Sequence, residues 1–224
     1  MVVAAALVAC GGKQHTDKPA PIAPLPTAGI AGQPVSVLPL TLIAAEDSLH
    51  WELVLADRRA ALSRADSIIA ALLATRAPEV NWILPERLRR EARRAAGLAA
   101  DPDRMGSAIL RAERMLDVPD PLRTQLRTLV ALAGGRFALV PAALVYRRSG
   151  GRAVGRSGAP QKPVSGDVGA QHAAPLHIAM AELSVVLVDT RLGKVVWRTV
   201  ARGDGADPWT ALTGALKSLT PGLP

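Results

Sequence analysis

The 224-residue sequence predicts an α/β fold, a small mixed β-sheet packed by helices and preceded by a disordered tether. Three observations carry that expectation. β-Branched and leucine-rich runs recur at 34–43, 80–84, 137–146 and on both sides of a turn at 190–193, and short apolar runs between turn residues read as strands. Between them lie segments whose apolar residues return every three or four positions, as one buried helix face requires. The hydrophobic content of 49% is enough to fill one core in a chain of this length.

The first element is not part of that core. Residues 1–9, MVVAAALVA, are apolar or small, too few to span ~30 Å of hydrocarbon, and run directly into Cys10, the only cysteine of the chain. An apolar core followed by a small residue is the later part of a secretory signal. The basic segment that should precede it is missing, which points to a start upstream of Met1. Leu7, Val8, Ala9 and Cys10 resemble the lipobox of bacterial lipoproteins. That resemblance implies removal of 1–9, acylation of Cys10 and a palmitate-type anchor. At about 0.8 kcal/mol per buried methylene, several acyl chains hold a protein on a bilayer permanently. Gly11 stands where an Asp often marks inner-membrane retention in that family, so the expected location is the cell envelope, at the outer membrane facing the periplasm.

Residues 10–34 are expected to form the lipidated cysteine and a Gly/Pro-rich linker, because they show no apolar period. A flexible coil of that length reaches on the order of 30 Å. One α/β domain is expected over 35–221. It opens with the strand 34–43, followed by an ambiguous stretch, 44–64. In 65–78, ADSIIAALLATRAP, Ile68 and Leu72, and Ile69 and Leu73, are spaced i, i+4, and Pro78 stops the helix. The strand 80–84 leads into a helix that opens at Pro85 and buries Leu88, Ala92 and Ala95. Asp120 and Pro121 are expected to cap the next helix, with Leu122, Leu126, Leu129, Val130 and Ala133 inward and Gly134 at its end. The strand 137–146 is apolar on both faces, and Pro141, which lacks an N–H, demands a bulge or an edge. Residues 149–176 are rich in Gly, Pro, Ser and Gln and are expected to be a flexible insertion. A hairpin follows, turning at Gly193, and Asp207 with Pro208 caps a last helix that buries Trp209, Leu212, Leu216 and Leu219.

This order, and most specifically the hairpin LVDTRLGKVVW, resembles a group of envelope lipoprotein domains: the N-terminal domain of the Tol-Pal translocation protein, the lipoprotein activators of penicillin-binding proteins and the curli secretion lipoprotein. The matching hairpin positions are Asp189, Gly193 and Trp197, markers of the fold more than of a site. The resemblance implies a protein-binding module of the envelope. A pore of the curli type is not expected, since 149–176 lacks the alternating pattern of a barrel strand.

No catalytic signature is present, and no cofactor or metal is expected. His15, His50, His172 and His177 lack the spacing that places two zinc ligands on one helix face. The Gly-rich GGRAVGRSG at 150–158 lacks the strand and helix that would aim its amides at a phosphate. The formal charge of +8 favours anionic partners. Its densest source is RLRREARR, where Arg87, Arg89, Arg90, Arg93 and Arg94 could grip an acidic partner or form an ordinary solvated face supported by a Glu86–Arg90 pair. The expected function is therefore a membrane-anchored, non-catalytic module that binds another envelope protein or joins an assembly. The alternative is a surface module that holds a polyanion with helix 86–96. Nucleic acid is not an expected partner.

Overall fold

A computed structural model of the chain describes residues 23–149 and 178–220. The signal segment, Cys10 and nearly all of the insertion 149–176 lie outside the described residues. Order begins earlier than the sequence predicts. Within the stretch read as linker, the short helix α1 (Thr27–Ile30) buries Ile30, and Leu25 is buried with its N–H on the carbonyl of Leu219, 3.0 Å away.

The expected strand 34–43 is two strands, β1 (Pro34–Val37) and β2 (Ile43–Ala45). Pro39 between them has no N–H for a ladder, and the Leu40 N–H is spent on a side chain, Asp66 Oδ1 at 2.8 Å. The ambiguous stretch resolves into a 3-10 turn at 47–49, the four-residue α2 (Glu52–Leu55) and the start of α3 (Arg58–Arg76). α3 starts well before the expected helix because Asp57 caps it, accepting from Ala60 N at 2.9 Å. Then come β3 (Asn81–Ile83) and α4 (Pro85–Arg94) with Pro85 in its first turn, as predicted. Two 3-10 turns, Pro102–Arg104 and Ser107–Arg111, precede α5 (Leu122–Leu132). The chain closes with β4 (Phe137–Arg148), β5 (Ala179–Asp189), β6 (Lys194–Gly205) and α6 (Pro208–Leu219).

The sheet is mixed, with order β3-β1-β4-β5-β6, and β2 also pairs with β4. β1 runs parallel to β3 and β4, whereas β4, β5 and β6 are antiparallel. β4 is therefore central, and Pro141 is accommodated by the bulge that the sequence demanded, between Pro141 and Ala143. The bulge also changes which residues face which layer. Leu139 before it and Leu144 and Tyr146 after it share one face, a switch from odd to even positions that strict alternation would forbid.

Each face carries its own core. α1, α3 and α6 cover Val35, Val37, Leu139, Leu183, Val185 and Leu187, while α4 and α5 cover Ala138, Val140, Val186 and Val188. The layers touch most closely where α6 lies on β6. A Cβ at Gly203 would stand 2.0 Å from the backbone N of Ala215, so the helix rests directly on the strand's backbone. The cap of α6 is as predicted, with Asp207 Oδ1 accepting from Trp209 N at 2.9 Å and Thr210 N at 3.1 Å. The cap of α5 is not. Asp120 serves side chains instead, accepting from Thr124 Oγ1 at 2.9 Å and from the Arg123 guanidinium, and Pro121 holds the cap position with no side-chain bond.

Candidate functional site

The N-terminal turns of α3 and one stripe of α4 line a cleft of about 720 Å³, to which the turn at 101–104 also contributes. α3 contributes Arg58, Arg59, Leu62 and Ser63, and Leu40 also lines the space. From α4 come Glu86, Arg89 and Arg93, which the i, i+3, i+7 spacing places on one stripe. Asp101, Asp103 and Arg104 complete the wall.

Arg89 is the fixed point of this cleft. Behind it stands Asp66 of α3, 5% exposed, which accepts from Arg89 Nη2 at 2.6 Å as well as from Leu40 N. In front, Asp103 takes the Nε–Nη2 edge of the same guanidinium and shares Nη2 with Asp66: Nε lies 3.0 Å from both carboxylate oxygens, and Nη2 is 2.7 Å from Oδ1. The planar fork of arginine suits this two-point grip, which a lysine ammonium cannot reproduce.

The electrostatics follow from burial. Desolvation pushes the Asp66 carboxyl above the ordinary aspartate range, and the Leu40 N–H and Arg89 only partly pull it back. Arg89 is held more firmly protonated than a free arginine, first by its bonds to Asp103 and, against the cost of burial, by Asp66.

The five arginines predicted on α4 separate into two groups. Arg89 and Arg93 enter the cleft. Arg87, Arg90 and Arg94 form a second stripe, i, i+3, i+7, exposed on the outer flank of the helix. Arg94 pairs with Glu91 at 3.1 Å, and Arg87 and Arg90 have no ion pair among the described residues. The Glu86–Arg90 pair expected to support the face is not formed.

Sequence reasoning missed the opposite wall. Arg58 and Arg59 follow the Asp57 cap as an adjacent pair, the one local signal that could have found them, but only the folded chain brings them into one cleft with Arg93, from helices on opposite faces of the sheet. Arg58 also donates to the carbonyl of Thr41 at 2.9 Å, which steadies it at the cleft's edge. Asp66 and Asp103 were equally invisible as partners of Arg89.

The hairpin markers are structural in their contacts. Asp189, 2% exposed, accepts from the Arg136 guanidinium and from Arg191 N at 3.0 Å and Leu192 N at 3.2 Å, tying the turn to the start of β4. Gly193 sits at φ 68°, and Trp197 packs against the core. His50 is exposed, while His15, His172, His177 and residues 150–158 lie outside the described residues. Among the described residues, no group of three or more His, Cys, Asp or Glu converges as a metal site would require, and no helix is long and apolar enough to cross a membrane.

No family model and no curated protein sequence matches the chain. Among solved structures it is similar to the PelC dodecamer from Paraburkholderia phytofirmans, at 13% identity and a TM-score of 0.34, over 84% of this chain and 88% of that one. It is also similar to lipoprotein GNA1162 from Neisseria meningitidis, at 14% identity and a TM-score of 0.32, over 77% and 83% of the two chains.

Proposed function

We propose that this chain is a non-catalytic binding module of the bacterial envelope, moored to a membrane through Cys10, and that it holds an acidic partner protein in the cleft between α3 and α4. The convergence of Arg58, Arg59 and Arg93 around the anchored Arg89 carries the reading. Two walls from different helices present cations to one space, and such a space raises the local concentration of anions and steers their approach. The resemblance of Leu7, Val8, Ala9 and Cys10 to a lipobox supports the mooring, and a tether after it would let the domain search for a partner above the surface.

The test is a titration of the full chain with fluorescent poly-L-glutamate. Affinity falls at least about tenfold between low and moderate salt, and the double charge reversal Arg58→Glu/Arg93→Glu lowers it by a similar factor at low salt. Binding that ignores both changes would sink the proposal. The mooring has its own readout: Cys10→Ser abolishes incorporation of labelled fatty acid and releases the protein into the soluble fraction.

A second reading, an extended polyanion such as teichoic acid or lipopolysaccharide, draws on the outer stripe Arg87, Arg90 and Arg94, which a polymer wrapping α4 would meet and a ligand seated in the cleft would not. In that case Arg87→Glu/Arg90→Glu weakens polyphosphate binding as much as reversal inside the cleft does.

A further inference from the structure

We infer that Asp103 occupies the seat of the partner's own carboxylate, so that the cleft recognises an acidic peptide segment, one Asp or Glu of which displaces Asp103 from Arg89. The inference rests on the cleft being the binding surface. It adds the chemical class of the ligand and the residue that reads it.

The two carboxylates on Arg89 are unequal. Asp66 is buried in the middle of a 19-residue helix and also holds Leu40 N, so it cannot leave without opening the contact between α3 and the end of β1. It fixes the plane of the guanidinium. Asp103 has a side chain 47% exposed and belongs to a three-residue 3-10 turn, steadied on its own side by Asp103 N donating to Asp101 Oδ1 at 3.1 Å. Solvent already reaches this pair, so exchanging one carboxylate for another there loses little. What remains after the exchange is a guanidinium aimed from behind, with Nε and Nη2 presented to a planar two-oxygen group.

The rest of the wall selects the ligand class. The lining mixes Arg58, Arg59, Arg93 and Arg104 with Glu86 and Asp101, and includes the half-buried Leu62. A polymer with a charge on every unit would press anions against Glu86 and Asp101. A peptide with separated carboxylates and apolar residues between them can place charges on arginines and an apolar side chain against Leu62, and its backbone carbonyls can accept from whichever guanidinium is left.

The experiment compares the full-length chain with Asp103→Asn, Arg89→Lys and the double variant. The probes are a short fluorescein-labelled peptide of alternating Glu and Leu, and inorganic polyphosphate. Freeing Arg89 tightens peptide binding by about tenfold in Asp103→Asn, in the range measured when one charge pair at an interface changes. The double variant binds no better than Arg89→Lys alone, because the gain acts through the fork. In the wild type, peptide binding speeds backbone hydrogen exchange at 101–104 as the turn is released.

Unchanged or weaker peptide binding in Asp103→Asn overturns the inference, provided that its thermal midpoint stays near wild type. If the midpoint collapses, the exchange measurement on the wild type decides instead, and protection at 101–104 on binding overturns it. Polyphosphate binding without peptide binding also overturns it while leaving the polyanion reading standing. Failure of the proposed function looks different: neither probe binds any variant at low salt.

Discussion

Asp66 on α3 and Asp189 at the end of β5 are both nearly inaccessible, and each accepts from an arginine that reaches solvent. Their proton affinities nevertheless move in opposite directions. Burial pushes the Asp189 carboxyl up, but the Arg136 guanidinium and the N–H groups of Leu192 and Arg191 together outweigh it and hold it below the ordinary aspartate range. Asp66 has a single backbone donor, Leu40 N, shares its arginine with a second carboxylate and stays above that range. Asp66 lies deeper beneath other atoms and has fewer fixed donors, so its desolvation is not outweighed as that of Asp189 is; the presence of an ion pair alone does not set the direction. One aspartate is a fastening of the fold; the other is a buried support that keeps Arg89 in place.

Removing each carboxylate separates these roles. Asp189→Ala has the largest expected effect, about 3 kcal/mol lost in urea unfolding, because two turn amides and a guanidinium lose their acceptor together. The hairpin turn at 190–193 should also lose its hydrogen-exchange protection. Asp66→Ala is expected to cost less, about 2 kcal/mol, since the group it deletes was already expensive to bury as an anion. Its larger consequence is functional, with poly-L-glutamate affinity falling as Arg89 loses its backing. A stability loss for Asp66→Ala exceeding that for Asp189→Ala would break the comparison.

The smallest effect is the sharpest in sign. Asp189 binds its proton more weakly folded than unfolded, so its contribution is present above the ordinary aspartate pKa near 4 and is lost as pH falls through the depressed folded value. Asp66 is the reverse: the folded state holds the proton longer, so its contribution declines as pH rises from about 4 through the raised folded value. The stability difference between wild type and Asp189→Asn should therefore grow with rising pH, and that between wild type and Asp66→Asn should shrink. Parallel slopes in pH-dependent urea unfolding would remove the distinction.

Much of the architecture was legible because its signals are local. The stripe Leu122, Leu126, Leu129, Val130 and Ala133 is buried as its spacing demanded, the hairpin turns at Gly193 with positive φ, and Pro141 marks a bulge. Where the reading failed, a longer-range interaction had overridden a local one. The run 34–43 has strand character throughout, yet Leu40 N goes to a carboxylate on α3 and the strand splits. Asp120 and Pro121 look like a cap, but Arg123 and Thr124 take the carboxylate first.

The sequence by itself determined an α/β chain with helices on a mixed sheet, the apolar face of each main helix and a block of five arginines on one of them, since periodicity and turn chemistry act between residues a few positions apart. It could not say which arginines were available. That was decided when the sheet brought α3 and α4, one on each of its faces, to a common cleft, which joined Asp66 to Arg89 across 23 positions and put Arg58 and Arg59 in one space with Arg93. A guanidinium's partners depend on which surfaces meet once the core has closed, and that information is carried by the packing of whole elements rather than by any local stretch of chain.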